Sequence, residues 1–122
     1  MIKTIDKNSK RKARHARIRN RIAGTALRPR LSVFKSEVNI YAQLIDDETA
    51  TTIAQASTID KTLAEALKGK TKTEQAYIVG EEIAKKAIAK NIKTVVFDRG
   101  GNVYTGRIKS VAEGARNSGL EF

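Results

Sequence analysis

The chain has 122 residues and a formal net charge of +11, with 24 Lys and Arg against 13 Asp and Glu. It has no cysteine and a single histidine, which excludes disulfides, thiolate chemistry and the common zinc signatures. No apolar run approaches the roughly 20 residues of a membrane span, and no apolar stretch follows the N-terminal charges as in a secretory signal, so a soluble, cytoplasmic protein is expected.

The charge is uneven. Residues 1–35 hold twelve Lys or Arg and one acid, Asp6, whereas the remaining 87 residues hold twelve of each sign. The pattern predicts two parts, a basic arm over residues 1–28 and a globular domain over residues 29–122. A dense cationic arm repels itself unless a polyanion neutralises it. Nucleic acid does so, because each bound phosphate releases condensed counterions.

Lys10, Arg11, Lys12, Arg14, Arg17, Arg19 and Arg21 fall within twelve residues of the arm. Asp6 is a candidate helix start and Gly24 a candidate stop. At about 100° per residue, Lys10, Arg14, Arg17 and Arg21 form a stripe roughly 60° wide, which Arg11 flanks while Lys12 and Arg19 point away. Ile18 and Ile22 are the strongly apolar residues of this stretch, far from the broad apolar face that a membrane-surface helix needs. Cations on both sides suit a helix wedged between RNA segments. Without a partner such a helix should fray, since it buries little. Arginine predominates, and its guanidinium can fork onto a phosphate or stack on a base.

Pro29 ends any helix and opens an extended run. Leu31-Ser-Val-Phe-Lys-Ser36 and Ile40-Tyr-Ala-Gln-Leu44 alternate as strands, with Ser36-Glu-Val-Asn39 as the turn between them. Asp46-Asp47-Glu48 marks a second turn, and Thr51-Thr-Ile-Ala-Gln-Ala-Ser57 reads as a third strand. Short strands with short turns predict an antiparallel meander. By parity Leu31, Val33, Ile40, Ala42 and Leu44 share a face. The other face carries Ser32, Phe34, Ser36, Tyr41 and Gln43. Its two aromatics and nearby Lys35 suit a platform for unpaired bases; they equally suit packing under a helix or loop.

Thr71-Lys-Thr-Glu74 resembles a capping box. Behind it Ala76, Val79, Gly80, Ile83, Ala84, Ala87 and Ile88 recur at helical spacing, which predicts a helix over residues 73–90. Gly80, costly inside a helix, is expected to permit close packing on the sheet. Thr94-Val-Val-Phe97 reads as a short buried strand, and strand–helix–strand implies a parallel crossover. A last helix over residues 105–117 turns Ile108, Val111, Ala112 and Ala115 inward and stops at Gly119. The predicted class is mixed α/β: a three-stranded meander plus one parallel strand, with helices packed on the sheet and a basic N-terminal arm.

Between the last strand and helix lies Asp98-Arg-Gly-Gly-Asn-Val-Tyr-Thr-Gly-Arg107. Its glycines let backbone approach a phosphate, and Arg99 and Arg107 add charge, although a glycine turn after a strand is usually only a turn. Taken with Arg14-His15-Ala16-Arg17, Pro29-Arg-Leu-Ser-Val-Phe-Lys-Ser36, Ile40-Tyr-Ala-Gln-Leu-Ile-Asp-Asp47 and Gly119-Leu-Glu-Phe122, this block resembles the bacterial large-subunit ribosomal protein family numbered eighteen, the binder of 5S ribosomal RNA. The likeness spans nearly the whole chain and is loosest near residues 60–72.

The resemblance implies a structural constituent of the large ribosomal subunit. It would bind 5S rRNA and attach it to 23S rRNA in the central protuberance, beside neighbouring 5S-binding ribosomal proteins. No cofactor, metal, membrane or small-molecule substrate is implied. The expected RNA contacts are the seven arm cations, with His15, Arg28 and Arg30. In the body they are Phe34, Lys35, Ser36, Asn39, Tyr41, Gln43, Arg99, Gly100, Gly101, Tyr104 and Arg107. Asn102 and Thr105 stand where the family often has Tyr and His, and Lys35 replaces a frequent Arg, keeping the charge but losing the fork.

Two rival readings fit less of the chain. Asp46, Asp47, Glu48 and Asp98 could be imagined as a two-metal nuclease site, but adjacent acids in a turn are usually solvated, and no enzyme is expected. A general DNA-compacting protein would use the arm, but no recognition helix or dimer seam accompanies it.

Overall fold

A computed structural model describes residues 7–19, 24–100, 104 and 106–122, and apolar alternation decides its architecture. Strands β1 (Arg30–Lys35), β2 (Ile40–Asp46) and β3 (Thr51–Ser57) form the antiparallel meander. Leu31, Val33, Ile40, Ala42 and Leu44 are at most 1% exposed, as their shared parity requires. The Ser36–Asn39 turn closes with Ser36 N–H on the Asn39 carbonyl at 2.9 Å. Strand β4 (Val96–Asp98) adds to β1 in parallel, pairing Leu31 with Phe97 and Ser32 with Asp98. The sheet order is β3-β2-β1-β4.

Helices α3 (Lys72–Ala89) and α4 (Gly106–Asn117) cover the apolar face. Thr71 caps α3, its hydroxyl accepting from Glu74 N–H at 3.2 Å. Gly119, at φ 112°, follows the end of α4, where Leu120 N–H donates back to the Ala115 carbonyl. Each fully buried Leu, Ile or Val in this layer contributes about 1.5–3 kcal/mol. The arm carries helix α1 (Lys7–Arg19).

Three local expectations change, and one unassigned stretch gains structure. The last strand begins at Val96 and is buried only at Asp98, and Thr94 instead makes a parallel bridge with Glu121. Ile88 is 40% exposed. The loosely matched stretch after β3 holds a 3-10 turn and helix α2 (Ala64–Leu67), which bury Leu63 and Leu67. Gly80 packs against α4 rather than the sheet. A side chain at Gly80 would collide with the Val111 carbonyl, and one at Gly114 with the Tyr77 carbonyl. The two helices thus cross at reciprocal glycines.

Backbone cannot rotate away as a side chain can, so Gly80→Ala forces α3 and α4 apart. Overpacking should destabilise the protein by about 1–3 kcal/mol, despite the roughly 1 kcal/mol that Ala gains over Gly inside a helix. Thermal melting reads this directly. A melting temperature equal to or above that of the parent protein would show that the crossing can relax.

Candidate nucleic-acid interface

Arg30 shares its β1 parity with Ser32 and Phe34, so it lies on the sheet face that α3 and α4 leave open. It is 9% exposed, and each nitrogen of its guanidinium donates to a carboxylate of the protein. Nε and Nη2 donate to the two oxygens of Asp47, each at 3.1 Å. Nη1 donates to Asp98 Oδ2 at 2.7 Å. Burial alone would lower the Arg30 pKa, but the bonds and charges of Asp47 and Asp98 outweigh it and raise the pKa above the ordinary arginine value. Arg30, expected among the RNA contacts, is thus the cation of a buried ion-pair cluster.

Asp98 is the centre of that cluster and is 0% exposed. Its Oδ1 accepts from Gly100 N–H at 2.9 Å. Its Oδ2 meets Arg30 and also lies 3.2 Å from His15 Nε2. Arg11, one helical turn before His15, donates from Nη1 to the Gly100 carbonyl at 3.0 Å. Asp98 pairs with Ser32 across β4 and β1, so α1 meets the sheet on its open side. His15, expected among the RNA contacts, has its ring against Asp98 and keeps 34% of its side chain exposed.

Asp47 fixes the other end of the arm. Its Oδ2 accepts from Gly24 N–H at 2.6 Å, and its own N–H donates to the Gly24 carbonyl at 3.0 Å. A side chain at Gly24 would collide with the Arg30 nitrogen and the Ile45 carbonyl, which is why glycine stands there. Gly24, a candidate helix stop by sequence, is an anchor onto the ends of β1 and β2.

With Arg11 and His15 turned toward the loop after β4, Lys10 and Arg17 are exposed and Arg14 is half-buried. Lys12 is exposed on another side of the helix. Arg28 is exposed beside a turn in which its N–H donates to Thr25 Oγ1. Arg21, Gly101, Asn102 and Thr105 lie outside the described residues, as does the side chain of Arg19.

The open sheet face carries the aromatic pair. Phe34 is 52% exposed, and its ring lies 5.9 Å from that of Tyr41 at 37°. With Ser32 and Gln43 they line an open depression of about 440 Å³. Among the described residues no charged side chain lines it, and Lys35 stands exposed at the end of β1. Such a surface offers π faces and amide and hydroxyl groups, which suit base planes and base edges. Ser36 and Asn39 are occupied differently. Ser36 Oγ donates to the Asn39 carbonyl at 3.2 Å, and Asn39 Oδ1 accepts from Thr58 at 2.8 Å, so both hold the turn.

In the glycine loop, Gly100 has a φ of 66° and is buried. Arg99 and Arg107 are half-buried, and Arg107 Nη1 has no hydrogen-bond partner among the described residues. Tyr104 meets Phe97 edge-on at 5.8 Å, and its hydroxyl accepts from Arg116 at 3.2 Å. Phe97, expected as core, is half-buried and stacks on Phe122 at 5.4 Å.

A helix of cations and an aromatic sheet face thus lie on one side of a mixed sheet. A family model described as ribosomal L18 of archaea, bacteria, mitochondria and chloroplasts matches residues 5–122. The chain belongs to this family. A large ribosomal subunit protein uL18 of Bacillus cereus is 56% identical over 122 residues, covering all of both chains. Proteins of the same name from a second Bacillus cereus strain and from Bacillus thuringiensis are 55% identical over the same full length. Membership of the L18 family makes the chain a structural protein of the large ribosomal subunit.

Asp46, Asp47 and Asp98 have partners within the protein. Asp47 and Asp98 hold Arg30, and Asp46 Oδ1 accepts from Glu48 N–H at 3.0 Å. Sequence reasoning missed this cluster. One signal was available: Asp98 sits at the end of a buried strand, where an acid must find a buried partner. The sequence alone does not name Arg30 and His15 as those partners.

Proposed function

We propose that the chain binds 5S rRNA and attaches it to 23S rRNA in the central protuberance, beside other 5S-binding proteins. The arm, residues 1–28, supplies phosphate contacts, and the domain, residues 29–122, supplies the aromatic face and the glycine loop. One observation carries this reading: the cationic helix and the Phe34–Tyr41 face lie on the same side of the sheet, the side α3 and α4 leave open. A folded RNA has both features that such a side meets, a dense phosphate backbone and splayed bases. Lys10, Lys12, Arg14 and Arg17 serve the first; Phe34, Tyr41 and Gln43 serve the second. Arg99 and Arg107 extend the charge along the loop, and Lys35 extends it from β1.

Phe34→Ala and Tyr41→Ala should each weaken 5S rRNA binding by about 1–3 kcal/mol, the usual loss for a base-stacking aromatic. Phe34→Ala should leave the melting temperature nearly unchanged, because half of the ring is already in water. Filter binding and thermal melting of the same samples separate the two effects. Normal binding by both variants would remove the sheet face from the interface.

The function itself is tested by the RNA that copurifies with the tagged chain from a Bacillus lysate at moderate salt. Enrichment of 5S rRNA over its share of total RNA is expected. Recovery of cellular RNAs in proportion to their abundance would favour a general nucleic-acid binder.

A further inference from the structure

We propose that Asp98 is a positioning residue that seats the arm helix α1 against the β4–α4 loop, through His15, when the chain holds RNA. The inference rests on the RNA-binding reading and names a residue that serves it without touching RNA. Asp98 is fully buried, so no phosphate or base reaches it. Yet its two oxygens gather three parts of the protein: Arg30 of β1, Gly100 of the loop and His15 of the arm.

The arm is held to the loop at a second point. Gly100 is held through both of its backbone groups, its N–H by Asp98 and its carbonyl by Arg11. Arg11 and His15 stand four residues apart, on one face of α1. That face is spent on docking. Its docking fixes the helix's rotation, and with it where Lys10 and Arg17 point. Among its described side chains helix α1 has scarcely any apolar surface to fix that rotation by packing, and a polar seat does so. A helix held in the binding orientation loses less freedom when it meets RNA.

The sign of the effect separates seating from plain electrostatics. Asp98→Asn raises the net charge by one unit. Simple attraction to phosphate then predicts tighter binding, whereas a lost seat predicts weaker binding. Seating also leaves the dependence on salt unchanged, because no phosphate contact is removed.

The experiment measures affinity of the full chain for transcribed 5S rRNA, across a salt series, for the parent, His15→Ala, His15→Gln, Asp98→Asn and the double variant H15A with D98N. Each of His15→Ala and Asp98→Asn should weaken binding about five- to tenfold, the size of one lost hydrogen bond. The double variant should bind no worse than the weaker single variant, because both remove the same contact. His15→Gln should recover most of the loss, since its amide can donate to Asp98. Salt slopes should match that of the parent. Parent-like binding by His15→Ala, additive losses, or tighter binding by Asp98→Asn would overturn the proposal. If Asp98→Asn fails to fold, the His15 pair decides alone: Gln no better than Ala overturns it. A parent chain with no preference for 5S rRNA would instead defeat the functional reading on which the proposal stands.

Discussion

Removing residues 1–19 should lower affinity for 5S rRNA at least a hundredfold at moderate salt, while the rest of the chain stays folded. The segment carries eight cations: Lys3, Lys7, Lys10, Arg11, Lys12, Arg14, Arg17 and Arg19. Arg11 is committed to Gly100, so up to seven are left for phosphates. Each phosphate contact contributes nearly one unit to the slope of log affinity against log salt, so the slope should shrink by about four to six. The cut spares Gly24 and its two bonds to Asp47, and the buried core begins after it, at Pro29 and Leu31. Filter binding across a salt series gives the slope, and melting gives the fold. An unchanged slope would take the arm out of the interface; an unfolded product would place the domain boundary earlier in the chain.

Arg30→Ala should be the most damaging single change to stability, at about 3–5 kcal/mol, because it strips a buried carboxylate of its partner. Asp98 would keep Gly100 N–H and His15, but its strongest donor would be gone. Arg30→Lys should recover only part of the loss. One ammonium cannot reproduce a fork that meets Asp47 with two nitrogens and Asp98 with a third. Denaturant unfolding of the two variants beside the parent measures this. A loss below about 1 kcal/mol for Arg30→Ala would mean that water replaces the guanidinium and that the cluster is not a dry ion pair.

The sheet was legible because its alternation is local. Leu31, Val33, Ile40, Ala42 and Leu44 announce a buried face by parity alone, and the structure buries all five. The same parity placed Phe34 and Tyr41 together on the other face, and their rings do meet. Helix α3 was legible from its cap at Thr71 and its period. What pattern could not supply was the partner of a contact made across long sequence separation. Gly80 is visibly anomalous within a helix, but whether it faces a strand or Val111 of another helix depends on how α3 and α4 cross. Arg30 looked like one more cation beside the arm, for nothing within ten residues of it reveals an acid placed 68 positions later. The contact of His15 with Asp98, 83 positions away, is hidden for the same reason. Charge density locates an interface; it does not separate the cations that face a ligand from those that hold the interface together.

The central claim, that this side of the sheet recognises 5S rRNA, is tested most directly by competition at physiological salt. Labelled 5S rRNA of Bacillus cereus, bound to the full chain, is challenged with unlabelled 5S rRNA, an unrelated folded RNA of equal length and duplex DNA. Counterion release favours all three alike, so any preference must come from shape and base contacts. The account predicts that 5S rRNA competes at least a hundredfold more effectively than either of the others. Equal competition by all three would contradict it, leaving a basic arm on a domain that does not read RNA.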